Sequence, residues 1–130
     1  MKIFGIGTDI VNIKRIDKLI KKDGMKFKKR IFTLKEIKYC QIKKNSSSFF
    51  AKRYAAKEAL SKALGTGIRK DITFKNIEIY NDSSGKPSIS LKGKTFKFLK
   101  KKIKTNKYKI YLSLSDDEPW AQATVIISYN

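Results

Sequence analysis

One segment, residues 49–64, constrains the fold more than any other part of this chain. It reads FFAKRYAAKEALSKAL, contains neither Gly nor Pro, and is rich in Ala, Leu, Lys and Glu. This composition predicts an α-helix that Gly65 ends. At 3.6 residues per turn the alanines fall on one broad apolar arc with Leu60 and Leu64. Small side chains on such an arc predict close packing of the helix against another backbone.

The N-terminal third predicts one strand followed by two short helices. Residues 2–11 are apolar and largely β-branched and predict a buried strand that ends near Asp9. Helically spaced isoleucines over 12–23 predict a helix with Asn12 as its N-cap. The segment 33–36 (TLKE) has the spacing of a capping box and predicts the start of the next helix. The apolar side of that helix would comprise Leu34, Ile37 and Ile42.

The second half predicts mainly strands. Residues 72–80 alternate apolar and polar side chains, and the turn-forming sequence 81–87 links them to a short strand over 88–91, which together predict a hairpin. A basic amphipathic helix is predicted over 95–103, and two further strands over 108–115 and 121–129. The chain is long enough for one core. We therefore expect a single α+β domain over 1–130, with a mostly antiparallel sheet packed against the alanine-rich helix.

The charge and the rare residue types exclude several function classes. A formal net charge of +20 predicts attraction to polyanions. Of the 31 basic residues 27 are Lys and four are Arg, whereas nucleic-acid readers usually favour Arg. The absence of His excludes histidine metal sites and imidazole proton relays. A lone cysteine, Cys40, excludes an internal disulfide and suits a reducing compartment.

Neither membrane insertion nor export is expected from the sequence. No apolar run approaches the roughly 20 residues of a membrane span. The N-terminal sequence MKIFGIG lacks the core and cleavage pattern of a signal peptide. We therefore expect a soluble protein located in the cytoplasm.

The sequence GIGTDI at 5–10 is the first candidate for chemistry. Its two glycines allow close approach by another backbone or by a ligand, but the glycine spacing does not fit a dinucleotide-binding turn. Asp9 is a carboxylate inside an otherwise apolar strand, and carboxylates are rarely buried without a partner. It is therefore either salt-bridged or at a strand end, or it serves as a metal or catalytic ligand.

Glu58 and Lys62 form the second candidate. They stand four residues apart in the alanine-rich helix and therefore share a face. They could form an ordinary surface ion pair. Alternatively, a carboxylate in a cleft beside a cation suits Mg²⁺ with a substrate phosphate, since magnesium usually takes one or two carboxylates, waters and phosphate oxygens. The sequence NDSSGKP at 81–87 is, by itself, most simply a hairpin turn.

Taken together and in order, these segments resemble the holo-acyl-carrier-protein synthase family, the small 4′-phosphopantetheinyl transferases. The resemblance covers nearly the whole chain and rests on GIGTDIVNIKRI, FTLKEIKYC, RYAAKEALSKALGTGI, NDSSGKP and LSLSDDEPWAQATVII. It implies the phosphopantetheinyl transferase fold and a transfer from coenzyme A. In that reaction a serine of apo acyl carrier protein attacks the β-phosphate, which leaves adenosine 3′,5′-bisphosphate, and Mg²⁺ is required. The resemblance also implies a role in fatty acid biosynthesis.

The resemblance further implies roles for individual residues. Asp9 and Glu58 would be the metal ligands, and Lys62 would join them in the catalytic set. Arg53 and Lys62 would contact coenzyme A phosphates, and Arg15 would help to dock the carrier protein. The nucleotide-binding loop would comprise Gly85, Lys86 and Pro87. Family members are homotrimers with active sites between subunits, so the same assembly is expected here, with no nucleic-acid or membrane partner.

The chain departs from the family pattern in two places, and these leave the general base open. Asp116 stands where many relatives have His, and Lys38 where some have an acidic residue. The serine proton could be taken by Glu58, by a metal-bound water or by Asp116. A rival reading of the charge alone is a basic nucleic-acid-binding module without catalysis.

Overall fold

The computed structural model of the protein describes all 130 residues, which form five strands, five α-helices and one short 3₁₀ turn. The strands are β1 (Lys2–Asn12), β2 (Ile77–Asn81), β3 (Pro87–Leu91), β4 (Tyr108–Asp117) and β5 (Trp120–Tyr129). The helices are α1 (Ile13–Asp23), α2 (Met25–Ile31), α3 (Leu34–Gln41), α4 (Ser46–Ala63) and α5 (Gly93–Ile103), and the 3₁₀ turn is Phe74–Asn76. No helix is both long and apolar enough to cross a bilayer.

The strands form two antiparallel sheets. The larger sheet has the order β1-β5-β4, and the smaller is the hairpin of β2 and β3. Helix α4 packs across the inner face of the larger sheet and also contacts β2, α1 and α3. The expected α+β class, with a mostly antiparallel sheet on an alanine-rich helix, is therefore confirmed.

The contact between β1 and α4 is unusually close because both sides of it lack large side chains. A Cβ added to Gly5 would lie 1.9 Å from the Ala63 carbonyl oxygen, and one added to Gly7 would lie 1.8 Å from that of Ala59. Both alanines are buried. The two glycines of the GIGTDI sequence therefore admit the backbone of α4. Of the two possibilities that the sequence left open, another backbone or a ligand, the structure shows the backbone.

The predicted helix starts at Asn12 and Thr33 are confirmed. The Asn12 side-chain oxygen accepts a hydrogen bond from the Lys14 amide at 2.9 Å. At α3 the Glu36 carboxylate accepts from the Thr33 amide at 2.7 Å, and the Thr33 hydroxyl accepts from the Glu36 amide at 3.3 Å. Both caps satisfy amides that would otherwise have no partner in the first helical turn.

Several predicted boundaries and faces were wrong. Strand β1 does not end near Asp9 but continues to Asn12, and only one of its faces is covered. Leu34 and Ile42 are 67% and 79% exposed, so Ile37 alone faces the core from the predicted apolar side of α3. Helix α4 begins at Ser46, three residues before the predicted start.

The predicted strand over 72–80 begins only at Ile77. The preceding residues turn because α5 binds them: the Thr95 hydroxyl accepts from the Thr73 amide and donates to the Asp71 carbonyl oxygen. The Asn76 carbonyl oxygen accepts from the Lys92 amide. These long-range hydrogen bonds outweigh the local alternation of side chains, which by itself favours a strand.

Candidate active site

The close contact between β1 and α4 positions the first group of predicted site residues. Side chains alternate along a strand, so Asp9 projects from the same face of β1 as Gly7 and points toward α4. The Lys62 ammonium donates to Asp9 Oδ1 at 3.2 Å and to the Thr8 carbonyl oxygen at 3.1 Å. The side chain of Asp9 is 16% exposed and that of Lys62 is 52% exposed, so solvent reaches the pair through the lysine.

Glu58 lies on the same face of α4, one turn before Lys62. Partial burial raises the pKa of the Glu58 carboxyl, and the negative charge of Asp9 raises it further. The neighbouring Tyr54 hydroxyl and the charges of Lys62 and Arg15 act in the opposite direction. The carboxylate of Glu58, whose ionisation the neighbouring Asp9 disfavours, lies between two cations in a site that would gain stability by binding a further cation.

Tyr54 lies beside Glu58, although its spacing in the sequence is typical of the core. Its hydroxyl lies close enough to Glu58 for each group to influence the pKa of the other, and its ring stacks on Phe74 with the centroids 5.6 Å apart and the planes at 26°. Burial raises the pKa of the Tyr54 phenol, and the nearby Glu58 charge raises it further. The signal that could have identified Tyr54 is its spacing of four residues from Glu58, which places both on one helix face.

Arg15 lies on α1 beside this cluster. It lines a surface cleft together with Asn12, Lys14, Lys18 and Leu19. Its positive charge lowers the pKa of both Glu58 and Tyr54, although other contributions outweigh it. The basic end of the cleft is therefore close enough to Glu58 and Tyr54 to influence their ionisation.

A second group of predicted residues lies around the turn between β2 and β3. Arg53 is only 3% exposed, and its Nη2 donates to Asn81 Oδ1 at 2.7 Å. The Asn81 amide in turn donates to the Gly85 carbonyl oxygen at 3.0 Å. The amide of Lys86 donates to Asp82 Oδ1 at 3.0 Å, and Pro87 begins β3. Arg53 thus supports the predicted nucleotide loop through Asn81.

The structure does not bring this second group into contact with Asp9 or Glu58 of the same chain. Arg53 and Glu58 are five residues apart on α4, so at about 100° per residue their side chains point roughly 140° apart. The guanidinium of Arg53 instead lies 4.2 Å from the centroid of the Tyr39 ring, and its Nε is buried without a hydrogen-bond partner. One helix therefore serves two separate clusters.

Asp116 lies at neither cluster. Its Oδ2 accepts from the Ser48 hydroxyl at 3.2 Å, and its Oδ1 accepts from the Lys52 ammonium at 3.2 Å. Ser48 and Glu58 are ten residues apart on α4, which corresponds to about 15 Å along the helix axis. Within one chain the Asp116 carboxylate is therefore far from the Asp9 and Glu58 pair.

Comparisons with known proteins agree with this architecture. The family model described as the 4′-phosphopantetheinyl transferase superfamily matches residues 5–122. A holo-[acyl-carrier-protein] synthase from Zymomonas mobilis is 48% identical over 128 residues, with 96% of each chain covered. The crystal structure of such a synthase from Neisseria meningitidis superposes with a TM-score of 0.87 at 41% identity, covering 97% of this chain and 98% of that one. The Helicobacter pylori synthase, solved in complex with coenzyme A, gives 0.81 at 39% identity, covering 95% and 99%.

The chain belongs to the 4′-phosphopantetheinyl transferase superfamily. Within that superfamily, the resemblance to the holo-acyl-carrier-protein synthases is confirmed, because the match extends over nearly the whole length of both sequences. The predicted enzyme class, a phosphopantetheinyl transferase, is confirmed with it.

Proposed function

We propose that this enzyme transfers the 4′-phosphopantetheine group of coenzyme A to a serine of apo acyl carrier protein, in support of fatty acid biosynthesis. The observation that carries the proposal is the convergence of Asp9, Glu58 and Lys62 on the contact between β1 and α4. The same three residues are those that the family resemblance assigns to catalysis. The Helicobacter pylori relative, with which the chain shares its fold, binds coenzyme A.

The residues present suit the chemistry of phosphoryl transfer. Such a reaction needs neutralised charge and in-line positioning more than covalent assistance. The ammonium group of Lys62 lies at the mouth of the site. There it can bind the pyrophosphate and stabilise the negative charge that develops on the leaving phosphate. Glu58 would accept the serine proton, since it lies beside Asp9 and Lys62, whereas within one chain the Asp116 carboxylate is remote and bound to Ser48 and Lys52.

Asp9 and Glu58 also fit a divalent cation. They offer only oxygen ligands, and no third carboxylate, cysteine or histidine joins them. That small donor set matches Mg²⁺, which usually takes one or two carboxylates and completes its shell with waters and substrate phosphates. When bound there, Mg²⁺ would supply further neutralisation of the pyrophosphate charge.

Substrate recognition would be divided between the two clusters. Gly85, Lys86 and Pro87 would bind the nucleotide end of coenzyme A, with Arg53 supporting their loop through Asn81, and Lys62 would bind the pyrophosphate. Arg15 and the basic cleft around it would receive the acidic carrier protein, since opposite charges attract across such an interface.

Assembly into a homotrimer would bring the two clusters together across subunits. The outer face of the larger sheet supports this proposal, because it leaves Ile6 and Ile10 64% and 62% exposed, with Tyr111 and Trp120 43% and 47% exposed. A sheet face of this kind usually packs against another surface. A cytoplasmic location is proposed as well, in keeping with the lone buried thiol of Cys40.

The transfer can be tested directly. The purified chain is incubated with coenzyme A, Mg²⁺ and apo acyl carrier protein, and the carrier is weighed by mass spectrometry. We expect the carrier to gain the mass of one phosphopantetheine group, and to gain none with the Asp9→Ala or Glu58→Ala variant. An unmodified carrier with the folded wild-type chain would refute the proposal.

A further inference from the structure

Lys57, the residue before Glu58, is completely buried. Its side chain is 0% exposed, and its ammonium group makes three hydrogen bonds. It donates to Glu36 Oε1 at 2.7 Å, to the Ile31 carbonyl oxygen at 2.9 Å and to the Phe74 carbonyl oxygen at 2.8 Å. An ammonium group has three protons, so none remains for a substrate.

The partner carboxylate, Glu36, is fully used as well. Its Oε1 accepts from the Thr33 amide at 2.7 Å as well as from Lys57. Its Oε2 accepts from the Ile79 amide at 2.9 Å. One ion pair therefore joins five segments of the chain: the end of α2, the start of α3, α4, the 3₁₀ turn and β2. A buried pair of this kind costs much to desolvate and is weak evidence for stability, so its value has to be sought elsewhere.

The pair has two structural routes to the carboxylate of Glu58. The first is the helix itself: adjacent side chains on α4 diverge by about 100°, so holding Lys57 on one side fixes the direction in which Glu58 points. The second runs through Phe74, whose carbonyl oxygen is bound by Lys57 and whose ring stacks on Tyr54. Tyr54 in turn stands one helical turn from Glu58 on the same face of α4.

We infer that the buried Lys57–Glu36 ion pair positions Glu58 by fixing the rotation of α4 and the placement of Phe74 beneath Tyr54. Lys57 is therefore a positioning residue and touches no substrate. This inference rests on the proposed transfer function for its kinetic readout, but it also makes a structural claim that can be tested without any turnover.

The main test compares Lys57→Met with Leu99→Ala. Leu99 is a fully buried residue of α5 and takes no part in either cluster, so its variant reports general destabilisation. Both variants are assayed under conditions in which urea denaturation and circular dichroism show that they are folded. We expect kcat of Lys57→Met to fall by about 100-fold, the order expected for misplacement of a catalytic group by about 1 Å, with KM for coenzyme A within about threefold. Leu99→Ala should keep its kcat.

A second measurement follows hydrogen exchange of the amides over 54–62 and 73–75 in the ligand-free proteins. Exchange there should accelerate in Lys57→Met and stay unchanged in Leu99→Ala. If Lys57→Met does not fold, Glu36→Gln takes its place, because it keeps the side-chain volume but removes the charge that pairs with Lys57 and the acceptor for the Ile79 amide, so the same loss of kcat and faster exchange are expected.

The outcomes separate the two proposals. A wild-type chain that transfers nothing refutes the proposed function, and the exchange data still decide whether the pair positions α4. The inference is overturned if a folded Lys57→Met or Glu36→Gln variant transfers at the wild-type kcat. It is also overturned if hydrogen exchange over 54–62 and 73–75 is no faster in that variant than in Leu99→Ala.

Discussion

At the scale of single residues, the site holds the carboxylate of Glu58 in an arrangement that costs stability in the absence of ligand. Burial and the Asp9 charge raise the pKa of Glu58, so the folded protein holds the Glu58 proton more tightly than the unfolded chain does. The ionised carboxylate therefore destabilises the ligand-free fold above its folded pKa. This cost disappears as the pH falls below the unfolded pKa.

Glu58→Gln is accordingly expected to abolish transfer and to stabilise the metal-free protein slightly at neutral pH. The gain should be less than about 1 kcal/mol, because Glu58 is only partly buried and solvent screens its charge. It should shrink when urea unfolding is repeated near about pH 4, where carboxyl groups take up protons. Glu118→Gln, in an exposed turn, is the matched control and should keep its activity. A gain that grows toward acid would mean that the folded protein lowers the pKa of Glu58 instead of raising it.

The residues that could be predicted from the sequence are those whose spacing within one segment already indicates chemistry. Glu58 and Lys62 share a helix face, and Asp9 stands out in an apolar strand. The buried pair of Lys57 and Glu36 could not be predicted from spacing, because it joins segments 21 residues apart whose meeting depends on the whole fold. Two lysines five residues apart on one helix thus have opposite environments, and neither composition nor local pattern distinguishes them.

At the scale of secondary structure, the approach of β1 to α4 sets the position of Asp9 relative to Lys62. Gly7→Ala would place a methyl group 1.8 Å from the Ala59 carbonyl oxygen, so the strand or the helix must move. We expect a loss of about 1–3 kcal/mol or more in the free energy of unfolding, and reduced transfer in the protein that remains folded. Urea denaturation and the transfer assay measure both effects.

The matched control is Thr8→Ala, the next residue on the same strand, whose side chain points to the exposed face. It should change stability far less than Gly7→Ala. Equal losses in the two variants would mean that the close backbone approach is not what makes Gly7 necessary.

The same contact shows why some elements could be predicted and others not. The alanine arc of α4 predicted a closely packed neighbour, and the glycines of β1 predicted close approach, so the two patterns confirm each other. The strand expected over 72–80 is absent over 72–76, because hydrogen bonds with Thr95 and Lys92 of a distant segment bend the backbone there. Local pattern predicts an element reliably only where no distant partner competes for its backbone.

At the scale of the whole molecule, the exposed isoleucines of β1 test the proposed trimer. Wild-type protein should have three times the 15.0 kDa mass of one chain by light scattering. The double variant Ile6→Glu and Ile10→Glu should be monomeric, since charges on the sheet face would be buried without partners. If the two clusters meet across subunits, it should also lose transfer.

Ile42→Glu provides the control for the trimer test. Ile42 is 79% exposed, more than Ile6 or Ile10, but it follows α3 rather than lying on the sheet. This variant should remain trimeric and active. A wild-type protein that is monomeric at assay concentrations, yet active, would refute the interface.

The net charge of +20 is also a property of the whole molecule, and its distribution is uneven. Residues 83–115 contain ten Lys and no Asp or Glu, which is half of the net charge in about a quarter of the chain. Of these lysines only Lys92 is paired with a carboxylate, Glu78. Exposed charges of this kind act at long range on an acidic partner, and salt screens them over roughly 10 Å.

If these lysines only steer the carrier protein, their exact positions should not matter. The triple variant Lys94→Gln, Lys97→Gln and Lys101→Gln on α5 should then lower kcat/KM for the carrier by the same few-fold as the scattered triple Lys26→Gln, Lys38→Gln and Lys44→Gln. Both losses should vanish at high salt, whereas Arg15→Gln, which removes a charge beside Glu58, should keep part of its defect there. A loss confined to the α5 triple would show instead that α5 is a dedicated docking surface, and diffuse steering would be the wrong account of the charge.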